Sequence, residues 1–262
     1  NTTKYVYGGD NDGNVWRFDI YDDPATVADE SSATLIGIAK DSSGRVQPIT
    51  TRPELGEIAG KPWIFVGTGR LLGLPDLTDV YTQSVYGFVD ITANGGSYTA
   101  DYPDPTNGGG LRDELRQLTL SPKTDAAGKP EAGATRSISC SGATCSRKSG
   151  WVVDLIDDGE RMNIDMSLTL GTLIFASNVP RNTACSIGGY SWLNFVDYRT
   201  GQTVEGATAV SVALGDSLAV GLSVMRLPSL TPGGQGKTVA VVMGSSGVPT
   251  TASPPVNVPP PI

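Results

Sequence analysis

Short apolar runs alternate along the chain with turns built from glycine and aspartate, and one unit recurs. In that unit an apolar strand enters a glycine-containing turn, and a second apolar strand leaves it to end at aspartate. The first copy is YVYGGDNDGNVWRFD, residues 5–19, where Tyr5 and Tyr7 on one side and Val15 and Phe18 on the other frame the turn. A second copy starts at PWIFVGTG, residues 62–69, and resumes after an insertion at SVYGFVD, residues 84–90. A third joins TLIFASNVP, residues 172–180, to SWLNFVDYRTG, residues 191–201, where Trp192 and Phe195 repeat the pattern. A fourth begins at TVAVVMGSSG, residues 238–247, and fades into the terminus. Helical spacing is confined to residues 110–120, where Leu111, Leu115 and Leu118 fall at i, i+4 and i+7; it predicts one short helix there or none.

A hairpin unit that returns after tens of residues with Gly/Asp turns is the signature of β-propeller blades. The sequence therefore predicts an all-β fold, a modified β-propeller with long loop insertions. Strands for only about three blades are visible, too few to close a ring, so the chain reads as part of a longer protein. Residues 1–250 are assigned to the C-terminal part of the propeller domain. Within them residues 92–149, rich in Gly, Pro, Asp and Ser, read as an insertion forming a surface loop or small subdomain. Residues 251–262, dominated by proline, read as an extended tail or linker.

Composition narrows the function more than the fold. The 262 residues carry a net charge of −8, which repels a phosphate backbone and argues against nucleic acid as a partner. No basic amphipathic stretch suits anionic lipid. The longest apolar stretch, VSVALGDSLAVGLSVM at residues 210–225, is interrupted by Asp216 and too short to insert across a bilayer. There is no histidine, which removes the commonest general base and transition-metal ligand and every Ser/His/Asp or Cys/His arrangement. The expectation is a protein that is not an enzyme, with no catalytic and no cofactor-binding residues.

Three stretches carry residues that could do chemistry. Asp10, Asp12 and Asn14 alternate as calcium ligands do, but an EF-hand loop counted from Asp10 needs glycine at position 6 and a carboxylate at position 12. Those positions hold Val15 and Tyr21, whereas Asp12-Gly13 between apolar runs signals a hairpin, with a type I′ turn as the expected geometry. The three residues stay weak metal candidates beside the hairpin reading. GTGRLLG, residues 67–73, lacks the lysine and helix of a phosphate loop and reads as a strand end turning into an insertion. Residues 152–165 gather Asp154, Asp157, Asp158, Glu160 and Asp165; paired carboxylates serve glycoside hydrolysis, but Asp157-Asp158-Gly159 reads as a solvated turn, with calcium or pairing to Arg161 as alternatives.

Of three cysteines, Cys140 and Cys145 flank a four-residue gap in a Gly/Ser-rich stretch. Metal sites want a second pair and redox motifs two intervening residues, so a local disulfide is expected, contributing about 2 kcal/mol and implying an oxidising compartment. Cys185 is left over and reads as a buried small apolar residue, with pairing to a segment outside this chain as the alternative.

These strings together resemble a family. YVYGGDNDGNVWRFD is similar to the strand-turn-strand unit of PQQ-type propeller repeats, and more closely to the C-terminal domain of PilC/PilY-type proteins of bacterial type IV pili. The resemblance continues through residues 62–90, through GWVVDLIDDGERM at 150–162, and through residues 178–201. In the last of these Cys185, Gly188, Gly189, Ser191, Trp192, Asp197, Thr200 and Gly201 match the family pattern. What the resemblance implies is a non-enzymatic, extracellular protein at the pilus tip of a Gram-negative bacterium. It would act in pilus assembly, in opposing retraction and in adhesion, with minor pilins and a surface or host-cell ligand as partners. It also implies a Ca2+ loop, with ligands upstream of the YVYGGD strand, where residues 1–4 offer only weak ones; the Arg-Gly-Asp tripeptide of some members does not occur. Two rival readings share the blade type: a PQQ-dependent quinoprotein dehydrogenase, which would need a bound cofactor and a catalytic aspartate, and a secreted carbohydrate-binding propeller.

Overall fold

The computed structural model describes residues 4–20, 32–106, 110–124, 128–183, 186–229 and 236–256. Cys185 and residues 257–262 of the tail lie outside the described residues.

The fold is all-β, and among the described residues the strands form three sheets. The first sheet holds β1 (Tyr5–Gly9), β2 (Asn14–Asp19) and β3 (Ser32–Ile38) as an antiparallel meander. The second begins with β4 (Glu54–Ile58), β5 (Lys61–Gly67), β6 (Ser84–Val89), β7 (Arg116–Ser121), β8 (Thr135–Cys140) and β9 (Gly150–Asp154). It continues with β10 (Ser167–Thr169), β11 (Thr172–Thr183), β12 (Ser186–Asp197) and β13 (Ser211–Gly215). The third is the meander β14 (Ala219–Leu227), β15 (Lys237–Gly244) and β16 (Pro249–Ala252).

The middle sheet runs β10-β11-β12-β13-β8-β7-β9-β6-β5-β4, antiparallel except where β7 lies parallel to β9. It curls until its two edges nearly meet: the Leu168 N–H donates to the Glu54 carboxylate at 3.1 Å, and the Leu168 side chain lies against Gly56. The second and third hairpin repeats lie together in this one nearly closed, barrel-like sheet, and the first and fourth lie in the two small sheets, consistent with the expected all-β, propeller-like fold.

Strand alternation explains the layers, because successive side chains leave opposite faces of a sheet. On β5, Trp63 and Phe65 point into the barrel with Trp151, Phe175 and Val196, while Ile64 and Val66 point out to meet Val15 and Ile36 of the first sheet. On β11, Leu173 and Phe175 point in, while Ile174 and Ala176 point out to meet Ala240 and Val242 of the third sheet. The barrel is thus sandwiched between two small sheets. Tight packing sets one glycine: a Cβ on Gly87 would lie 2.6 Å from the Trp151 ring and 2.8 Å from Phe65.

The aspartates that end the repeat units have a local task. Asp90 accepts hydrogen bonds from the backbone N–H groups of Thr92 and Ala93, and Asp197 from those of Arg199 and Thr200, so each carboxylate turns the chain at a strand end. Asp90 also receives Arg17 at 2.9 Å and the Tyr7 hydroxyl at 3.0 Å, which ties the first sheet to the second. Burial, reinforced by the Asp90 charge, pushes the Tyr7 phenol well above its usual range.

Residues 92–149 differ from the expected surface excursion. They supply β7 and β8 to the middle sheet, with Leu118 and Leu120 in the barrel core. The helix foreseen at 110–120 is a single turn, α1 (Leu111–Glu114); Leu111 and Leu115 are buried, and Leu118 already belongs to a strand. A disulfide joins Cys140 at the end of β8 to Cys145 in a one-turn 3-10 segment, as the spacing suggested. Among the described residues no helix is long and apolar enough to cross a membrane.

Candidate functional site

The turn between β1 and β2 shows how Asp10, Asp12 and Asn14 are used. Asp10 Oδ1 accepts the backbone N–H groups of Asp12 and Asn14 at 2.9 and 3.0 Å. Its Oδ2 accepts the Asn14 amide and the Trp16 indole N–H, both at 2.9 Å. Burial opposes ionisation of this carboxyl, but the bonds from Trp16, Asn14 and Asp12 outweigh it and hold the group below its usual range. Four donors around one carboxylate are the reverse of a cation's shell of oxygens, so this turn does not fit calcium. Among the described residues no group of three or more acidic, Cys or His side chains could hold a metal ion.

The turn is a hairpin, but not of the expected type. Gly13 alone in it has positive φ, +75°, and the Gly13 N–H donates to the Asp10 carbonyl, as in a type I turn closed by a left-handed residue. A Cβ on Gly13 would stand 2.7 Å from the Ala39 carbonyl oxygen, because the turn docks on residues 39–49 through Ala39 N–H to Gly13 O and Ile49 N–H to Asp10 O.

The carboxylates of residues 152–165 are each engaged. Asp154 binds Arg112 and accepts from Ser84 at 2.7 Å; Asp158 meets Lys123 at 2.6 Å; Asp165 accepts the Arg52 N–H at 2.9 Å. Asp157 and Glu160 are buried, which corrects the solvated-turn reading, and the arginine between them is Arg136 from β8 rather than Arg161. Glu160 accepts two bonds from Arg136 Nη1, at 2.9 and 3.0 Å, and one from the Ser177 hydroxyl at 2.5 Å. Asp157 accepts the Tyr190 hydroxyl at 2.9 Å and the Trp192 indole at 3.0 Å, with Arg136 Nη2 2.6 Å away in an ionic contact without hydrogen-bond geometry. The Arg136 guanidinium also lies 3.9 Å from the centre of the Trp192 ring, a cation–π contact. Removing one member of such a cluster leaves an uncompensated buried charge, which costs about 3–5 kcal/mol.

Residues 70–82, which follow the GTG turn, carry the feature that faces solvent. No phosphate cradle forms; the segment folds around a 3-10 turn, Leu74–Thr78. Asp76 points inward and accepts Arg70 Nε at 2.8 Å and the N–H groups of Leu72 and Gly73 at 2.8 and 3.1 Å. Burial works against its ionisation, yet these bonds hold the carboxyl below its usual range. Arg161 reaches the same loop from beneath. It donates to the carbonyls of Gly159 and Arg70, both at 2.9 Å, and to those of Asp76 and Asp79. Burial lowers its pKa, against the pull of Asp79 and Asp76.

With the loop gripped from within, its large apolar side chains point out: Leu72 is 74% exposed, Leu74 71%, Val80 62% and Tyr81 50%. Arg45 caps the Tyr81 ring at 3.4 Å from its centre. Exposed apolar side chains on a fixed loop have the chemistry that suits contact with a partner. One signal in the sequence marks this segment: LLGLPDL, residues 71–77, places apolar side chains where Gly and Pro keep the chain out of any strand.

No family model matches the chain, and no solved structure matches it. Among curated proteins it is 30% identical over 210 residues to a type IV pilus biogenesis factor PilY1 homolog of Xylella fastidiosa, covering 76% of this chain and 15% of that protein. It is 27% identical over 228 residues to the type IV pilus biogenesis factor PilY1 of Pseudomonas aeruginosa, covering 75% of this chain and 19% of that one. A second Xylella fastidiosa PilY1 homolog is 27% identical over 215 residues, covering 77% of this chain and 13% of that protein. The chain spans less than a fifth of the length of these curated relatives. Over three quarters of its length, then, the chain is similar to proteins named as PilY1-type type IV pilus biogenesis factors.

Proposed function

We propose that this chain is a propeller segment of a PilY1-type protein and serves type IV pilus biogenesis as a non-enzymatic contact module. In this reading the parent protein sits at the pilus tip on the cell surface, supports assembly against retraction, engages minor pilins, and contributes to adhesion. The observation that carries it is the loop of residues 70–82, whose inward groups Asp76 and Arg161 are held by several hydrogen bonds each while Leu72, Leu74, Val80 and Tyr81 stand in solvent. A surface preorganised in this way loses little entropy on binding, as a structural partner requires. The similarity to named pilus biogenesis factors supports the same reading.

The test is a full-length protein carrying Leu72→Ser, Leu74→Ser, Val80→Ser and Tyr81→Ser in a bacterium deprived of its own copy. Sheared surface pili, co-purification of minor pilins and adherence are measured beside protein level. The expected outcome is a stable protein with at least a several-fold loss in one of these. Full piliation and adherence from the fourfold variant would overturn the assignment of this loop.

A further inference from the structure

A polar cleft of about 240 Å³ lies between residues 100–103, the end of α1 and residues 146–149 that follow the disulfide. Two carboxylates, Asp101 and Glu114, and two cations, Arg147 and Lys148, line it together with Ser146 and Ser149. Its walls are built rather than incidental. Arg147 Nη1 donates to the Leu115 carbonyl at 3.1 Å and to that of Arg112 at 3.5 Å, which fixes the guanidinium against the end of α1. The buried Ser149 donates its hydroxyl to the Asp101 carbonyl at 3.2 Å, and Ser146 donates to the Ala143 carbonyl at 2.9 Å. Lys148 pairs with Asp101 at 2.8 Å.

Capacity is left over. Glu114, half-buried, makes no hydrogen bond or ion pair among the described residues, and Arg147 keeps Nε and Nη2 free there. Ser146 and Ser149 have spent their protons and retain oxygen lone pairs. The cleft therefore offers donors and acceptors together, with its formal charges balanced two against two. A phosphate would meet Asp101 and Glu114; a polyamine would meet Arg147 and Lys148. A ligand whose every polar group both donates and accepts, without net charge, meets neither penalty. Hydroxyl groups on a ring have that property, and Ala100 and Pro103 give its C–H face an apolar neighbour. The volume lies below the ~300–1,000 Å³ of clefts that take drug-sized ligands, so one ring fits rather than a chain.

We propose that this cleft binds a single neutral sugar ring, as the terminal unit of a glycan, with Glu114 and Arg147 as the principal hydrogen-bonding groups. Among the described residues no aromatic platform lines it, so the expected affinity for a free monosaccharide is weak, about millimolar. The disulfide bounds the 146–149 wall, so its reduction should weaken binding. The inference stands on the cleft alone, and its failure would leave the pilus reading untouched.

Saturation-transfer NMR on the whole chain tests it, with glucose, galactose, mannose, N-acetylglucosamine and N-acetylgalactosamine as probes and inorganic phosphate and putrescine as charged controls. Transfer to at least one neutral sugar is expected, with little to either control. Glu114→Ala should weaken binding at least tenfold while Leu72→Ser leaves it unchanged; Ser146→Ala, at an exposed position, should weaken it several-fold and serves if Glu114→Ala fails to fold by circular dichroism. No transfer from any of the five sugars, preference for phosphate or putrescine, or unaltered sugar binding in folded variants would each overturn the proposal.

Discussion

Strands β5 and β15 are both short apolar strands in the middle of antiparallel neighbours, yet they end up in different surroundings. In β5 both faces are covered, Trp63 and Phe65 by the barrel core and Ile64 and Val66 by the first sheet. In β15 one face is covered, at Thr238, Ala240 and Val242; Val239 and Val241 on the other face are partly open and Met243 is 41% exposed. The first sheet repeats this: Val15 is buried inward, while Val6 and Phe18, paired across β1 and β2, stand 44% and 42% exposed. The end sheets thus have the composition of middle sheets, with apolar residues on both faces, and differ only in having a neighbour on one side. Hydrophobic alternation reports how a strand is built, whereas burial reports what stands beside it.

The largest expected effect lies where both faces are covered. Trp151→Ala should destabilise the chain by about 3–5 kcal/mol, because it empties the barrel between Phe65 and the Leu118 side chain. Denaturant unfolding followed by circular dichroism measures it, and a loss below about 1 kcal/mol would dissolve the contrast between middle and ends. An intermediate effect comes from Asp10, whose native carboxyl titrates below its ordinary value of 3.8. A depressed native pKa adds stability that is complete above the unfolded value and is lost as pH falls through the native one. Asp10→Asn should therefore cost about 1 kcal/mol at neutral pH and nearly nothing in acid below the native pKa, read from unfolding curves across that window. The smallest effect belongs to an open face: Phe18→Ser should shift stability by no more than about 0.5 kcal/mol in this chain. The same change in the full-length protein measures whether another sheet covers that face, since the cost should then rise to about 2 kcal/mol.

Much of the fold was legible where the signal was local. The Asp-Gly hairpin, the strands of the repeat units and the Cys140–Cys145 bridge each depend on residues close in sequence. What escaped depends on distant partners. Strands β7 and β8 hide in residues 92–149 because Leu118 and Leu120 alternate with Gln117 and Thr119, and Ile138 with Ser137 and Ser139, amid glycine and proline. The polar half of that alternation faces out, so the stretch looks like a loop. Arg136, between Thr135 and Ser137, has the look of an ordinary surface cation, and nothing near it announces that Asp157 and Glu160 await it inside. The turn type also depends on a distant partner: docking on residues 39–49 selects a geometry in which Gly13 alone of the turn is left-handed.

The Arg136 cluster has a further consequence for how strands find their partners. Side chains on a strand alternate with a period of two, so a slip of one residue in β8 would turn Arg136 to the opposite face. Asp157 and Glu160 would then be enclosed without their cation, a penalty far larger than the gain from any mispaired ladder. The cluster draws on β8, on the turn after β9, and on Ser177, Tyr190 and Trp192 of the long β11–β12 hairpin, so all of these must arrive in step. It acts as a proofreader of assembly: near-native arrangements with one strand out of step are excluded, and the sheet closes in a single alignment.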